Sequence, residues 1–125
     1  GASITKSSRS NPVRRGLPAL LWAGLIWLLS GTPAAGLPPL FPGADKLAHA
    51  AAYAVLGLLL ARIWPVTETA GAQRVLALGT AYGITDEIHQ HFVAGRTTET
   101  GDVAADWLGV VLAVWLLRRR TEVKS

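Results

Sequence analysis

Four apolar runs alternate with polar or proline-rich breaks along the chain, and this alternation predicts four helices. The first run, 17–30, reads LPALLWAGLIWLLS and follows Arg14 and Arg15. The second, 45–64, reads DKLAHAAAYAVLGLLLARIW and stops at Pro65. The third, 72–92, and the fourth, 102–117, complete the set, and Arg118, Arg119 and Arg120 close it. Between the first two lies GTPAAGLPPLFPGA, whose four prolines and three glycines forbid regular structure. Short polar stretches at 66–71 and 93–101 make the other breaks. Pro18 is expected in a first helical turn, where its missing N–H costs little.

Spacing inside the runs adds detail. Asp45, His49 and Tyr53 recur every four residues and share a helix face. Tyr82, Asp86 and His89 share another, with Glu87, Gln90 and His91 on an adjoining face. Asp102 and Asp106 repeat the four-residue step. Gly79 and Gly83 form a GxxxG pair, and Ala105, Gly109 and Ala113 form a small-residue stripe. Ala50, Ala54, Gly57 and Ala61 do the same on the second helix. Such residues let helices approach closely.

Composition places these runs in a bilayer. Half of the 125 residues are hydrophobic and 16% are charged, where a soluble domain carries about a quarter charged. The expected architecture is all-α, a four-span transmembrane bundle with short loops. Residues 1–13 read as a disordered tail, 14–120 as one membrane domain and 121–125 as a second tail. The basic start, apolar middle and small residues at 32–35 are also the layout of a secretory signal. A retained first helix is the preferred reading, and its shortness leaves a homo-oligomer open. Cysteine is absent, which excludes disulfides, zinc–thiolate sites and cysteine nucleophiles.

The net charge of +4 does not make a nucleic-acid surface, because the basic residues stand at the borders of the apolar runs. Arg14 and Arg15, then Arg62 and Arg74, then Arg118 to Arg120 fall on one side of a four-span chain. Basic flanks mark the cytoplasmic side, so both termini are expected inside. Lys46, His49, Asp86 to His91, Arg96, Asp102 and Asp106 then gather in the outer half. Ionisable groups within apolar segments are by default a functional site.

The segments DKLAHAAAY, YGITDEIHQHFVAGR and DVAADWLG, in this order, resemble the VanZ-like family of small integral membrane proteins over about 45–117. The resemblance implies a compact multi-span helical protein in a bacterial plasma or inner membrane, its site on the extracytoplasmic side. The family's founding member is associated with low-level resistance to teicoplanin, a glycopeptide that acts on the outer cell wall. Its characteristic residues match Asp45, Lys46, His49, Tyr53, Asp86, Glu87, Gln90, Arg96 and Asp102. Asp106 stands where an Asn is expected, and Ala94 where a Pro often precedes Gly95. His89 and His91 are not hallmarks of the family.

The expected function is a pocket that binds or modifies a membrane lipid or a lipid-linked cell-wall precursor. Lys46, His49, Asp86 and Glu87 are the candidate catalytic groups. Asp45, Tyr53, Gln90, Arg96, Asp102 and Asp106 are the candidate ligand contacts. Lys46 and Arg96 suit a phosphate or carboxylate, and His49 or Glu87 suits general acid–base work. No cofactor is called for, and no metal pattern of the His-Glu-x-x-His kind is present. A metal-dependent hydrolase using Asp86, His89 and His49 is one alternative. A scaffold that meets a partner through its glycine and alanine faces is the other.

Overall fold

The computed structural model describes residues 11–30, 44–92 and 100–124, without the side chains of residues 12, 44, 45, 100 and 121–124. Four helices and no strand are present among them: α1 (Pro12–Ser30), α2 (Ala44–Leu60), α3 (Thr69–His91) and α4 (Thr100–Lys124). Residues 1–10, 31–43 and 93–99, Arg96 among them, lie outside the described residues. The tails expected at 1–13 and 121–125 and the loops expected at 31–44 and 93–101 are cut short, since residues 12–13, 44, 100–101 and 121–124 are helical.

Helix boundaries differ from the apolar runs in instructive ways. Helix α1 begins five residues before the apolar run, because Asn11 and Pro12 start it. The Asn11 side-chain oxygen accepts from the Val13 N–H at 3.0 Å, and Pro12 takes the first helical position, where no donor is needed. Pro18 therefore sits in the second turn and not the first, where it has no N–H to donate to the turn before it. Helix α2 ends at Leu60, not at residue 64. The chain tightens there: Arg62 and Ile63 donate to the carbonyls three residues back, Leu59 and Leu60, at 3.2 and 2.9 Å. Pro65 forbids the residue before it from continuing the helix. Helix α3 starts at Thr69 after an extended Glu68. Helix α4 runs past residue 117 to Lys124, since Arg and Glu are good helix formers and nothing in 118–124 breaks the turn.

The helices run up and down, and contacts at both ends fix which ends meet. The Arg118 guanidinium donates to the Val66 carbonyl at 2.8 Å, so the end of α4 holds the α2–α3 turn. A Cβ built on Gly16 would lie 3.8 Å from Ile63, which brings the start of α1 to the same end. The three arginine clusters of the sequence thus share one end of the bundle. At the opposite end Gln90 donates to the Ser30 hydroxyl at 3.2 Å, and Lys46 meets Asp102.

Helices α2 and α4 form the closest pair. A Cβ on Gly109 would collide with the Ala50 carbonyl oxygen and lie 2.9 Å from the Ala54 nitrogen. The GxxxG pair of α3 serves the same helix: a Cβ on Gly79 would lie 2.7 Å from Val110, and one on Gly83 3.1 Å from the Asp106 Cβ. An apolar core of Ile26, Tyr53, Leu56, Val66, Ala72, Val75, Val110 and Val114 fills the arginine end and the middle. The exterior carries Leu20, Leu21, Leu28, Leu29, Ile88, Phe92, Trp107, Leu108 and Trp115, all exposed. The inside of the other end holds Ser30, Asp86, Gln90, Asp102 and Asp106, all buried. Polarity is inverted there relative to a water-soluble bundle.

Among the described residues, no helix is long and apolar enough to cross a membrane. At 1.5 Å per residue, the 17 residues of α2 rise about 25 Å. Helices α3 and α4 are longer, but α3 closes on Asp86, Glu87, His89 and His91 while α4 opens on Asp102 and Asp106.

Candidate functional site

Every helix sends polar side chains to the end opposite the arginines. From α2, one turn apart, come Lys46 and His49. Lys46 lays its stem against Gly101, where an added Cβ would fall 2.8 Å from Cε, and its ammonium sits 3.6 Å from an Asp102 oxygen. His49 donates from Nδ1 to Asp106 Oδ1 at 2.8 Å. The carboxylate accepts, so this bond sets the tautomer and aims Nε2 away from Asp106. The side chain of His49 is 16% exposed and that of Asp106 1%, so the ring links the surface to the interior.

The four-residue spacing of α3 turns Asp86 and Gln90 inward together. The Gln90 amide donates to Asp86 Oδ2 at 3.4 Å and to Ser30 on α1. The adjoining face assigned to Gln90 with Glu87 and His91 is thereby corrected: Gln90 is buried, Glu87 half-buried and His91 exposed. Tyr53 is fully buried on α2, and its hydroxyl makes no well-formed hydrogen bond. Its ring and the Asp106 carboxylate meet over Gly83.

Lys46, His49, Tyr53, Asp86, Gln90, Asp102 and Asp106 thus converge from three helices. Glu87 lies at the edge of this group. Arg96 and the side chain of Asp45 lie outside the described residues.

The profile of the VanZ/LLP1 family matches residues 5–121, nearly the whole chain. The chain belongs to the VanZ/LLP1 family. Comparison with curated proteins and with solved structures found no match.

One contribution to the polar end of this VanZ/LLP1 protein was not legible in the sequence: helix α1 takes part. Ser30 accepts from Gln90. Trp27 stacks on His89 with ring centroids 3.8 Å apart and planes 1° from parallel. Tyr82 donates its hydroxyl to the Ala23 carbonyl, and Trp22 donates to the Ala52 carbonyl at 2.9 Å. A lone serine at the end of an apolar run gives no pattern to read, and tryptophans in such runs ordinarily anchor at interfaces. His89, which shares a face with Tyr82 and Asp86 by spacing, meets α1 as well as the bundle. Among the described residues, no group of three or more His, Asp and Glu side chains is arranged to hold a metal ion.

Two chemistries are built into the arrangement. Lys46 offers a half-exposed cation at the rim. His49, oriented by Asp106, offers a ring nitrogen that can accept or release a proton beside it, the arrangement a general base requires.

Proposed function

We propose that this VanZ/LLP1 protein is a four-span membrane protein. Its polar end faces outward and receives the head group of a membrane lipid or a lipid-linked cell-wall precursor. The observation that carries the proposal is the inversion described above: large apolar side chains cover the outside while carboxylates, an amide and a phenol fill one end of the inside. Water gives no reason to bury three aspartates beneath a coat of leucine. A bilayer does, because only the interior can then satisfy them.

The short rise of α2 is reconciled with a hydrocarbon layer of about 30 Å by arginines that snorkel at the inner end. The Arg119 guanidinium, 5.2 Å above the Trp115 ring, suits an interfacial girdle. The arginine end is cytoplasmic in this reading. Lys46 at the rim meets the phosphate of the head group, and His49 supplies proton transfer if the bound lipid is modified. A link to teicoplanin follows from the site's facing the cell wall.

Orientation can be tested cleanly because the chain has no cysteine. Glu68 and His91 are exposed at opposite ends. In intact cells a membrane-impermeant maleimide is expected to label His91→Cys and to spare Glu68→Cys until the membrane is opened. The reverse pattern would turn the protein over.

For the site itself, Lys46→Ala and His49→Ala are expected to remove the effect of the protein on teicoplanin sensitivity while membrane levels stay unchanged. Full retention of that effect by both variants would sink the head-group reading.

A further inference from the structure

We infer that the interior of the site recognises a primary ammonium group, so that the head group it takes is an amine-bearing one. This rests on the head-group reading above and deepens it. Lys46 and Arg96 point by residue type to a phosphate. The geometry behind Lys46 points the other way.

The acceptors outnumber the donors there. Asp86, Asp102 and Asp106 are buried. Asp102 has Lys46 and Asp106 has His49. Among the described residues, Asp86 has the Gln90 amide at 3.4 Å and no cation within ion-pair distance. A buried carboxylate without a cation costs several kcal/mol.

Among the described residues, five side-chain oxygens are buried without a well-formed hydrogen bond: Asp102 Oδ1, which faces Lys46, Glu87 Oε2 at the edge of the group, and Asp86 Oδ1, Asp106 Oδ2 and the Tyr53 hydroxyl. The last three belong to one place. Asp106 Oδ2 and the Tyr53 ring both border Gly83, one turn before Asp86.

The chemistry of the missing partner follows from these atoms. It brings donors, because every orphan is an acceptor or can accept. It brings positive charge, because Asp86 lacks a cation. It is small, because Asp86 and Tyr53 are each 1% exposed. A primary ammonium has three N–H donors and no acceptor, which matches three oxygens. A trimethylammonium has the charge and none of the donors. A phosphate would face three acceptors and be repelled.

Lys46, paired with Asp102 at the rim, stands where the phosphate of a zwitterionic head group would lie if its amine points inward.

The test uses the full chain in bilayer discs of phosphatidylcholine, read by the midpoint of thermal unfolding. Disc lipid is supplemented with phosphatidylethanolamine in one arm and phosphatidylglycerol in another. Free ethanolamine is added to plain discs in a third. Phosphatidylethanolamine is expected to raise the midpoint by about 5 °C or more, and phosphatidylglycerol to leave it near its starting value. Asp86→Asn is expected to abolish the difference. Tyr53→Phe, which removes a single hydroxyl, is expected to shrink it, and decides the matter should Asp86→Asn not fold.

A response to free ethanolamine without one to phosphatidylethanolamine would keep the ammonium site and remove the lipid as its source. A phosphatidylglycerol response equal to or above that of phosphatidylethanolamine would overturn the inference and leave the head-group reading standing. The inference also falls if no arm responds, or if Asp86→Asn responds like the parent.

Discussion

Gly109→Ala is expected to prevent the bundle from forming, although it adds one methyl group. At Gly109 the backbone of α4 lies directly on the backbone of α2: the new Cβ would collide with the Ala50 carbonyl oxygen and press on the Ala54 nitrogen. A side chain can rotate out of the way, but a helix backbone cannot, and the whole of α2 would have to move. Overpacking in a filled core costs roughly 1–3 kcal/mol or more, and here the closest pair of helices in the protein would be parted. Moving α2 away from α4 also separates Lys46 from Asp102 and His49 from Asp106. The measurement is the yield of monodisperse protein from membranes and its unfolding midpoint. Normal yield with an unchanged midpoint would show that the two backbones are further apart than described. Gly24 is the control, because a Cβ there meets nothing within 4 Å, so Gly24→Ala is expected to be silent.

Asp106→Ala is expected to destabilise the protein by about 2–4 kcal/mol, and Asp106→Asn by less than about 1 kcal/mol. Asp106 is buried, and its Oδ1 holds His49 at 2.8 Å. Alanine removes the acceptor, strands the Nδ1–H of His49 and opens a space over Gly83. Asparagine keeps the shape, and its amide oxygen accepts the same bond. The resemblance to VanZ-like proteins points to Asn at this position, which fits a role that needs an oxygen more than a charge. Unfolding midpoints of the two variants separate the cases. Equal losses would mean that the negative charge of Asp106, and not its hydrogen bond, secures His49.

The fold was legible in the sequence because the helices are written in long apolar runs between strong breakers. Their ends were less so. The start of α1 depends on a two-residue signal, Asn11 and Pro12, that lies outside the run, and the end of α4 depends on arginines whose helix propensity competes with their charge. The pairing of α2 with α4 was present only as small residues at regular spacing. That Gly79 and Gly83 serve α4 of their own chain, and not a separate protein, could not be read from the motif. This weakens the scaffold alternative and also disqualifies bulky substitutions at those glycines as a test of it, because they would disturb the fold in either case.

For the site, four-residue steps sufficed to bring His49 and Tyr53 onto one face and Asp102 and Asp106 onto another. They did not tell which carboxylate meets which cation. Register between helices decides that, and here Gly57, Gly83 and Gly109 set it. Ser30 and Trp27 were invisible because a single polar or aromatic residue in an apolar run has no periodicity.

Helix α1 is joined to the rest by a different kind of contact. Its backbone comes close to those of α2 and α3. Its bonds come from long side chains, Trp22 to Ala52, Tyr82 to Ala23 and Gln90 to Ser30, and from the ring pair of Trp27 and His89. None of these is a glycine-mediated backbone approach. Held by side-chain bonds and not by backbone packing of that kind, α1 is expected to be the part of the bundle whose amide protons exchange soonest.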